Sequence, residues 1–204
     1  MDAAWLAVLA FGAWHGLNPA MGWPLAVANG LSEGRPRALL ATALPLAAGH
    51  LAAMAVVLLP FALAAGLLPW SRELRLAAGA LVLGFGIWRL LQRRHPRALQ
   101  RVRPTQLAWW SFLMASAHGA ALMMLPLTLG LCAAGRLPAG ATAATVAGVH
   151  TAAMLATGLG VAWAVYRVLG LRFLRQGWLN LDALWAASLI AAGAAGLVQA
   201  AGSA

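Results

Sequence analysis

Long apolar stretches, separated by short polar segments, run through almost the whole of this chain. Of its 204 residues, 63% are hydrophobic and 9% are charged, whereas a soluble domain carries about 25% charged residues. Several stretches exceed the roughly 18 consecutive apolar residues that are typical of a transmembrane helix. The chain is therefore expected to be an all-α membrane protein that crosses the bilayer several times.

Turns that contain Gly, Pro and Arg divide the apolar sequence into six expected spans. Pro19 and Pro24 are expected to interrupt the first span, and Pro45 and Pro60 are expected to bend or end the second. The expected spans are 3–31, 38–68, 74–91, 107–134, 140–168 and 177–200.

The placement of arginine predicts how these spans are oriented. Eleven arginines fall on one side of the expected topology and three on the other. Because basic loops remain in the cytoplasm, the arginine-rich loop 93–106 is expected inside and both termini outside. This loop separates two three-span units, 1–92 and 107–204, of one membrane domain. The prediction is a multi-pass protein of a bacterial-type inner membrane. Contact of its basic loops with lipid headgroups accounts for the net charge of +10 without nucleic acid.

Two histidine patterns occur once in each unit. The first and fourth spans share a His-Gly pair, offset by 103 residues, and the second and fifth share His-x-x-x-Met, offset by 100 residues. Because three spans is an odd number, the two units are expected in opposite orientations. This is the 3+3 inverted repeat with interrupted helices that many transporters have. At the rise of an α-helix, all four histidines lie about 15–18 Å into their spans, near the middle of the bilayer.

Histidines at one membrane depth are expected to form a functional site, although a single one often only bonds two helices together. Imidazole is a common transition-metal ligand and also a proton carrier. Each His-x-x-x-Met pair shares a helix face, although methionine is also a frequent core residue. Met21 could approach His15 only through a break at Pro19. The predicted ion-binding residues are His15, Asn18, Met21, His50, Met54, His118, His150 and Met154, with the four histidines as metal ligands.

Two further polar residues have alternative interpretations. Asn18 precedes Pro19, so its backbone should leave the helical region and free a carbonyl near His15 for a cation. The alternative is a packed proline kink that the Asn18 side chain stabilises. Asp182 in the sixth span is either a proton or cation relay at the cytoplasmic mouth or the ion-pair partner of a preceding arginine.

The sequence does not predict an enzyme. Its few carboxylates make paired-acid hydrolysis improbable, and its single cysteine, Cys132, excludes an internal disulfide. It has no phosphate-binding G-x-x-x-x-G-K-[ST] pattern, so a gradient is the expected energy source. No cofactor is firmly implied; a transition-metal ion, if bound, is the substrate.

The segment His15-Gly16-Leu17-Asn18-Pro19 resembles the nickel/cobalt efflux (NicO-type) family, which belongs to the lysine-exporter-like superfamily together with membrane thiol-disulfide carriers. The family pattern is His-Gly-Leu-acid-Pro-x-His, and this chain departs from it at Asn18 and Met21. The resemblance implies permeation of a metal ion through six spans. The two departures remove a negative charge and replace imidazole with thioether, which leaves room for a softer ion or another substrate. Neither break contains a cysteine, so the thiol chemistry of the carriers is not implied.

The leading hypothesis is a small inner-membrane transporter of a transition-metal ion (nickel, cobalt or a copper-like ion) with a midplane site lined by four histidines. One alternative is an electron-transfer protein with haem b between histidine pairs. Another is a metal-independent exporter of a small solute, in which the histidines carry protons or connect helices. Homodimerisation and the direction of transport are left open by the sequence.

Overall fold

The structure, a computed structural model, describes residues 3–67, 71–91, 106–169 and 181–202. These residues are almost entirely helical and include no β-strand. The helices occupy the six segments that were expected to be apolar spans. They are α1 (Ala3–Leu17), α2 (Trp23–Glu33), α3 (Pro36–Ala41), α4 (Ala43–Leu67), α5 (Ser71–Leu91), α6 (Leu107–His118), α7 (Ala120–Ala133), α8 (Ala139–Ala164) and α9 (Leu181–Gly202).

Two single helical stretches in the described residues, Pro36–Ala64 and Ala139–Val168, are long and apolar enough to cross a membrane. The pair formed by α6 and α7 satisfies the same test if it counts as one bent span. Two or three membrane-crossing segments are thus supported by length and composition. Most of loop 93–106 and the basic link 172–175 lie outside the described residues.

The first expected span is broken between α1 and α2. Asn18 has extended backbone angles, as expected before a proline, and Pro19–Met21 form a 3₁₀ turn. Gly22 then adopts a φ of 102°, in the left-handed region that favours glycine. Pro24 lies in the first turn of α2, where a missing backbone N–H disrupts nothing. The expected interruption is therefore present at Pro19 but not at Pro24.

The prolines of the second span do not end a helix. Pro45 lies in the first turn of α4, where no intrahelical donor is required. Helix α4 continues through Pro60 to Leu67, although Pro60 removes one internal hydrogen bond. The discontinuity of this span is instead at Thr42, between α3 and α4, where the Thr42 hydroxyl donates to the Leu39 carbonyl.

The fourth span bends by 67° between α6 and α7. The bend is at Gly119, whose φ is 70° and whose N–H donates to the Ser116 carbonyl at 3.1 Å. An added Cβ at this position would lie 2.6 Å from the Phe85 ring, so both conformation and space favour glycine. Pro126 lies within α7 and does not interrupt it. The break therefore follows His118 directly.

Helix α1 packs against α8, α4 packs against α6, α7 and α8, and α5 packs against α9. The interior between them is filled by apolar side chains from most of these helices. Its largest members include Met54, Leu58, Met123, Met124, Leu125, Leu129 and Leu189. This packing fixes the middle of α1, α4 and α8 relative to one another, and these helices carry three of the predicted histidines.

Candidate metal centre

Three fully buried histidines from three helices meet in the interior. His15 lies near the end of α1, His50 in the middle of α4 and His150 in the middle of α8, and each is at most 1% exposed. One ring nitrogen from each can be chosen so that all three atoms lie within 4.8 Å of one another. Among the described residues, this is the group of His, Cys, Asp or Glu side chains that is close enough to hold a metal ion.

The three rings are in mutual contact. The ring centroid of His15 is 5.0 Å from that of His50 and 5.3 Å from that of His150, with both pairs edge-to-face. The rings of His50 and His150 are stacked, with centroids 5.6 Å apart and planes inclined by 12°. Rings so arranged direct several nitrogen lone pairs or N–H groups into one small volume.

The spacing of two nitrogens suits a shared ion. His150 Nε2 lies 3.3 Å from His15 Nδ1, and two imidazole ligands of one tetrahedral ion are about 3.3 Å apart when each metal–nitrogen bond is about 2.0 Å. Nε2 of His50 is buried and has no hydrogen-bond partner in the part of the chain that the structure describes. A buried polar atom of this kind is costly unless a ligand or water satisfies it.

Helices α1 and α8 approach closely because α1 carries glycine on the facing side. A Cβ added at Gly12 would lie 2.8 Å from the Ala153 Cβ, and a Cβ added at Gly16 would overlap the Met154 carbonyl oxygen. These two glycines were not among the predicted site residues. The small-x-x-x-small spacing of Gly12 and Gly16 is the available signal, because it is typical of close helix packing in membranes.

The turn after α1 brings Met21 back to His15. Met21 Sδ contacts His15 Nε2, although the two residues are six positions apart. A continuous helix would direct them to different faces. The break at Pro19 therefore places Met21 against His15, as the prediction for Met21 required.

Asn18 holds this turn together. Its Oδ1 accepts the Ala20 N–H at 3.0 Å, and its backbone carbonyl accepts the Met21 N–H at 2.9 Å. The His15 carbonyl, which was expected to be free for a cation, accepts the Asn18 N–H at 3.0 Å. These three oxygens thus accept hydrogen bonds within the turn, which agrees with the alternative interpretation of a stabilised proline kink. The buried Nδ2 of Asn18 has no hydrogen-bond partner within the described ranges.

His118 is buried but does not belong to the three-histidine group. It is the last residue of α6, and its Nδ1 donates to the Met114 carbonyl of the preceding turn at 2.9 Å in one tautomer. The bend at Gly119 follows immediately. The structure therefore brings three of the four predicted histidines within ligand distance of one another, and the Nδ1 of the fourth, His118, is engaged by its own helix.

The remaining predicted residues lie around the group. Met54 and Met154 are buried one turn after His50 and His150. Met54 belongs to the apolar core, whereas Met154 and Met21 line a small crevice next to Gly16. The crevice has room for about one water molecule. The side chain of Asp182, with its predicted relay role, lies outside the part of the chain that the structure describes.

A scan of protein-family models, a search of curated proteins and a search of solved structures gave no match to this chain.

Proposed function

We propose that the chain is a membrane transporter of a transition-metal ion, with His15, His50 and His150 as the ion ligands. The observation that carries this proposal is the convergence of three buried imidazoles from separate helices, with one candidate nitrogen from each within 4.8 Å of the others. Ionisable side chains that face one another inside an apolar helical protein are expected at ion and proton pathways.

The packing of the helices supports a 3+3 inverted repeat in six spans. In such a repeat α1 corresponds to α6, α4 corresponds to α8, and α5 corresponds to α9. The contact of α1 with α8 then corresponds to the contact of α6 with α4, and both contacts are extensive. The contacts of α4 with α8 and of α5 with α9 each join a helix to its own counterpart. A site between units of this kind is accessible from either side when one unit rocks against the other.

The position of the breaks also supports transport. In each unit a helix ends within three residues of a buried histidine, at Leu17 after His15 and at His118 itself. Interrupted helices at a central site are the usual construction of a transporter binding site. In this proposal the protein lies in the inner membrane in the orientation that its arginines predict, and a gradient drives transport.

The space at the site favours an ion over larger ligands. Sites for organic molecules are usually cavities of roughly 300–1,000 Å³, and a haem needs a slot for its porphyrin. The three imidazole rings are in mutual contact, so the volume between their nitrogens suits a dehydrated metal ion better than a porphyrin or an organic solute.

A transport assay tests the proposal. The purified protein is reconstituted into liposomes that contain a metal-sensitive dye, and Cu(I), Ni(II), Co(II) and Zn(II) are presented one at a time. We expect flux of at least one ion, abolished in a His50→Ala/His150→Ala variant that remains monodisperse in detergent. Equal flux through the variant, or no flux of any of the four ions while a proton or solute gradient is dissipated, would contradict the proposal.

A further inference from the structure

The two ring nitrogens of His15 face different chemical surroundings. Nδ1 lies 3.3 Å from His150 Nε2, within the three-imidazole group. Nε2 contacts Met21 Sδ on the opposite edge of the ring. His15 therefore separates an imidazole side from a thioether side.

The crevice lies on the thioether side. Its lining includes Met21, Met154, Gly16 and Gly158, together with Leu and Trp side chains. The indole N–H of Trp23 is already engaged, because it donates to the Leu17 carbonyl at 3.1 Å. The two methionine sulfurs are therefore the side-chain donor atoms that this lining offers to an ion. Thioethers bind soft ions such as Cu(I) and offer little to hard or strongly hydrated ones.

The charge of the surroundings points to a monovalent ion. Imidazole and thioether ligands are neutral, and the acidic side chains that the structure describes, Glu33 and Glu73, are exposed and outside the group. The cost of burying an ion in a low-dielectric site rises with the square of its charge, so a divalent ion costs about four times as much as a monovalent one. Among the described side chains no carboxylate lies at the group to offset this cost, which favours a monovalent ion.

We propose that the transported ion is Cu(I) and that it occupies a thioether position formed by Met21 and Met154 with His15 Nε2 before or after it binds the three imidazoles. This inference rests on the proposed transport function and specifies its substrate. No electron transfer is involved, since the ion remains Cu(I) throughout. His15 is the shared ligand, so rotation of its ring or exchange between its two nitrogens transfers the ion.

The test measures ion binding by the full-length protein in detergent. Cu(I), kept reduced with ascorbate, is titrated against a chromophoric Cu(I) chelator, and Ag(I) serves as a redox-stable substitute. Ni(II), Co(II) and Zn(II) are titrated separately. Met21→Leu/Met154→Leu is compared with Met123→Leu, which alters a buried methionine that does not line the crevice. Leucine has nearly the volume of methionine, so all three proteins should fold.

We expect the wild type to bind Cu(I) and Ag(I) more tightly than any divalent ion. The double variant should lose about 10- to 100-fold in affinity, as altered metal-site residues typically do, while Met123→Leu remains unchanged. X-ray absorption of the copper complex should contain sulfur scattering that the double variant lacks. Tighter binding of a divalent ion, or unchanged Ag(I) affinity and no sulfur scattering, would overturn the Cu(I) inference and leave the transporter proposal standing. Absence of stoichiometric binding of any ion would overturn both.

Discussion

The thioether of Met21 lies against Nε2 of His15 across the turn that separates α1 from α2. The turn exists because Pro19 prevents α1 from continuing and Asn18 caps the three residues that follow. A local backbone interruption thus changes which side chains meet at a buried histidine.

Asn18 is expected to act as a cap and not as an ion ligand. Asn18→Ala removes the acceptor for the Ala20 N–H and should cost about 1 kcal/mol, as the loss of a cap typically does. Asn18→Ser retains an oxygen that can accept the same N–H and should restore both thermal stability and metal affinity. Thermal melting and metal titration of both variants in detergent distinguish a cap from an ion ligand. A serine variant as stable as wild type but unable to bind metal would instead make the asparagine amide part of the ion site.

His118 is expected to contribute little to ion affinity. Its ring lies outside the three-histidine group and is engaged by the Met114 carbonyl. His118→Ala should therefore change metal affinity by less than about tenfold, the lower end of the effects seen for residues that support a metal site. The same titration on His15→Ala is the comparison, and this variant should lose binding. Equal losses in both variants would favour the four-histidine site that the sequence alone predicted.

Gly16 should be intolerant of substitution because α8 leaves no space for a side chain. Gly16→Ala places a methyl group on the Met154 carbonyl oxygen and must separate α1 from α8. Overpacking of this kind typically costs about 1–3 kcal/mol, and the separation should also weaken metal binding. Gly148→Ala in α8 is the matched control, since a Cβ there meets nothing within 4 Å. If both variants retain wild-type melting temperature and affinity, the close contact of α1 with α8 is not required.

The contact between α5 and α9 can be tested by cross-linking. A Cβ at Gly86 would lie 3.0 Å from the Leu189 Cβ, close to the roughly 3.5–4.5 Å of a disulfide. In a Cys132→Ala background, Gly86→Cys/Leu189→Cys should form an intramolecular disulfide under mild oxidation. Gly84→Cys/Leu189→Cys should not, because Gly84 has no neighbour within 4 Å. Equal cross-linking of the two pairs would contradict the packing of α5 against α9.

Much of the fold was predictable because apolar length and turn residues are local signals. The positions of the expected spans agree with the helices, and the break at Pro19 was anticipated from the Asn-Pro dipeptide. The effect of Pro24 and Pro45 was not predictable. A proline in the first turn of a helix breaks no hydrogen bond, and the sequence did not show that these helices begin just before them. Whether all six segments cross a membrane stays a prediction.

The composition of the site was less predictable because it depends on contacts between distant residues. Repeat position suggested that His15, His50 and His150 meet, and they do. It also suggested His118, which lies outside the group at a helix end whose bend at Gly119 the repeat does not encode. Met21 contacts His15 because of the geometry of one turn. Gly12 and Gly16 allow the close contact of α1 with α8, and their spacing is the signal for this contact that the sequence contains.

The most direct test of the central claim is metal analysis of the purified protein together with an absorption spectrum, after loading with copper, nickel, cobalt or zinc and removal of excess ion. The three-histidine site predicts about one equivalent of bound metal per chain and no Soret band. It predicts loss of that metal from a folded His50→Ala/His150→Ala variant. Absence of stoichiometric metal from the wild type, or retention of the same metal by the variant, would contradict the account.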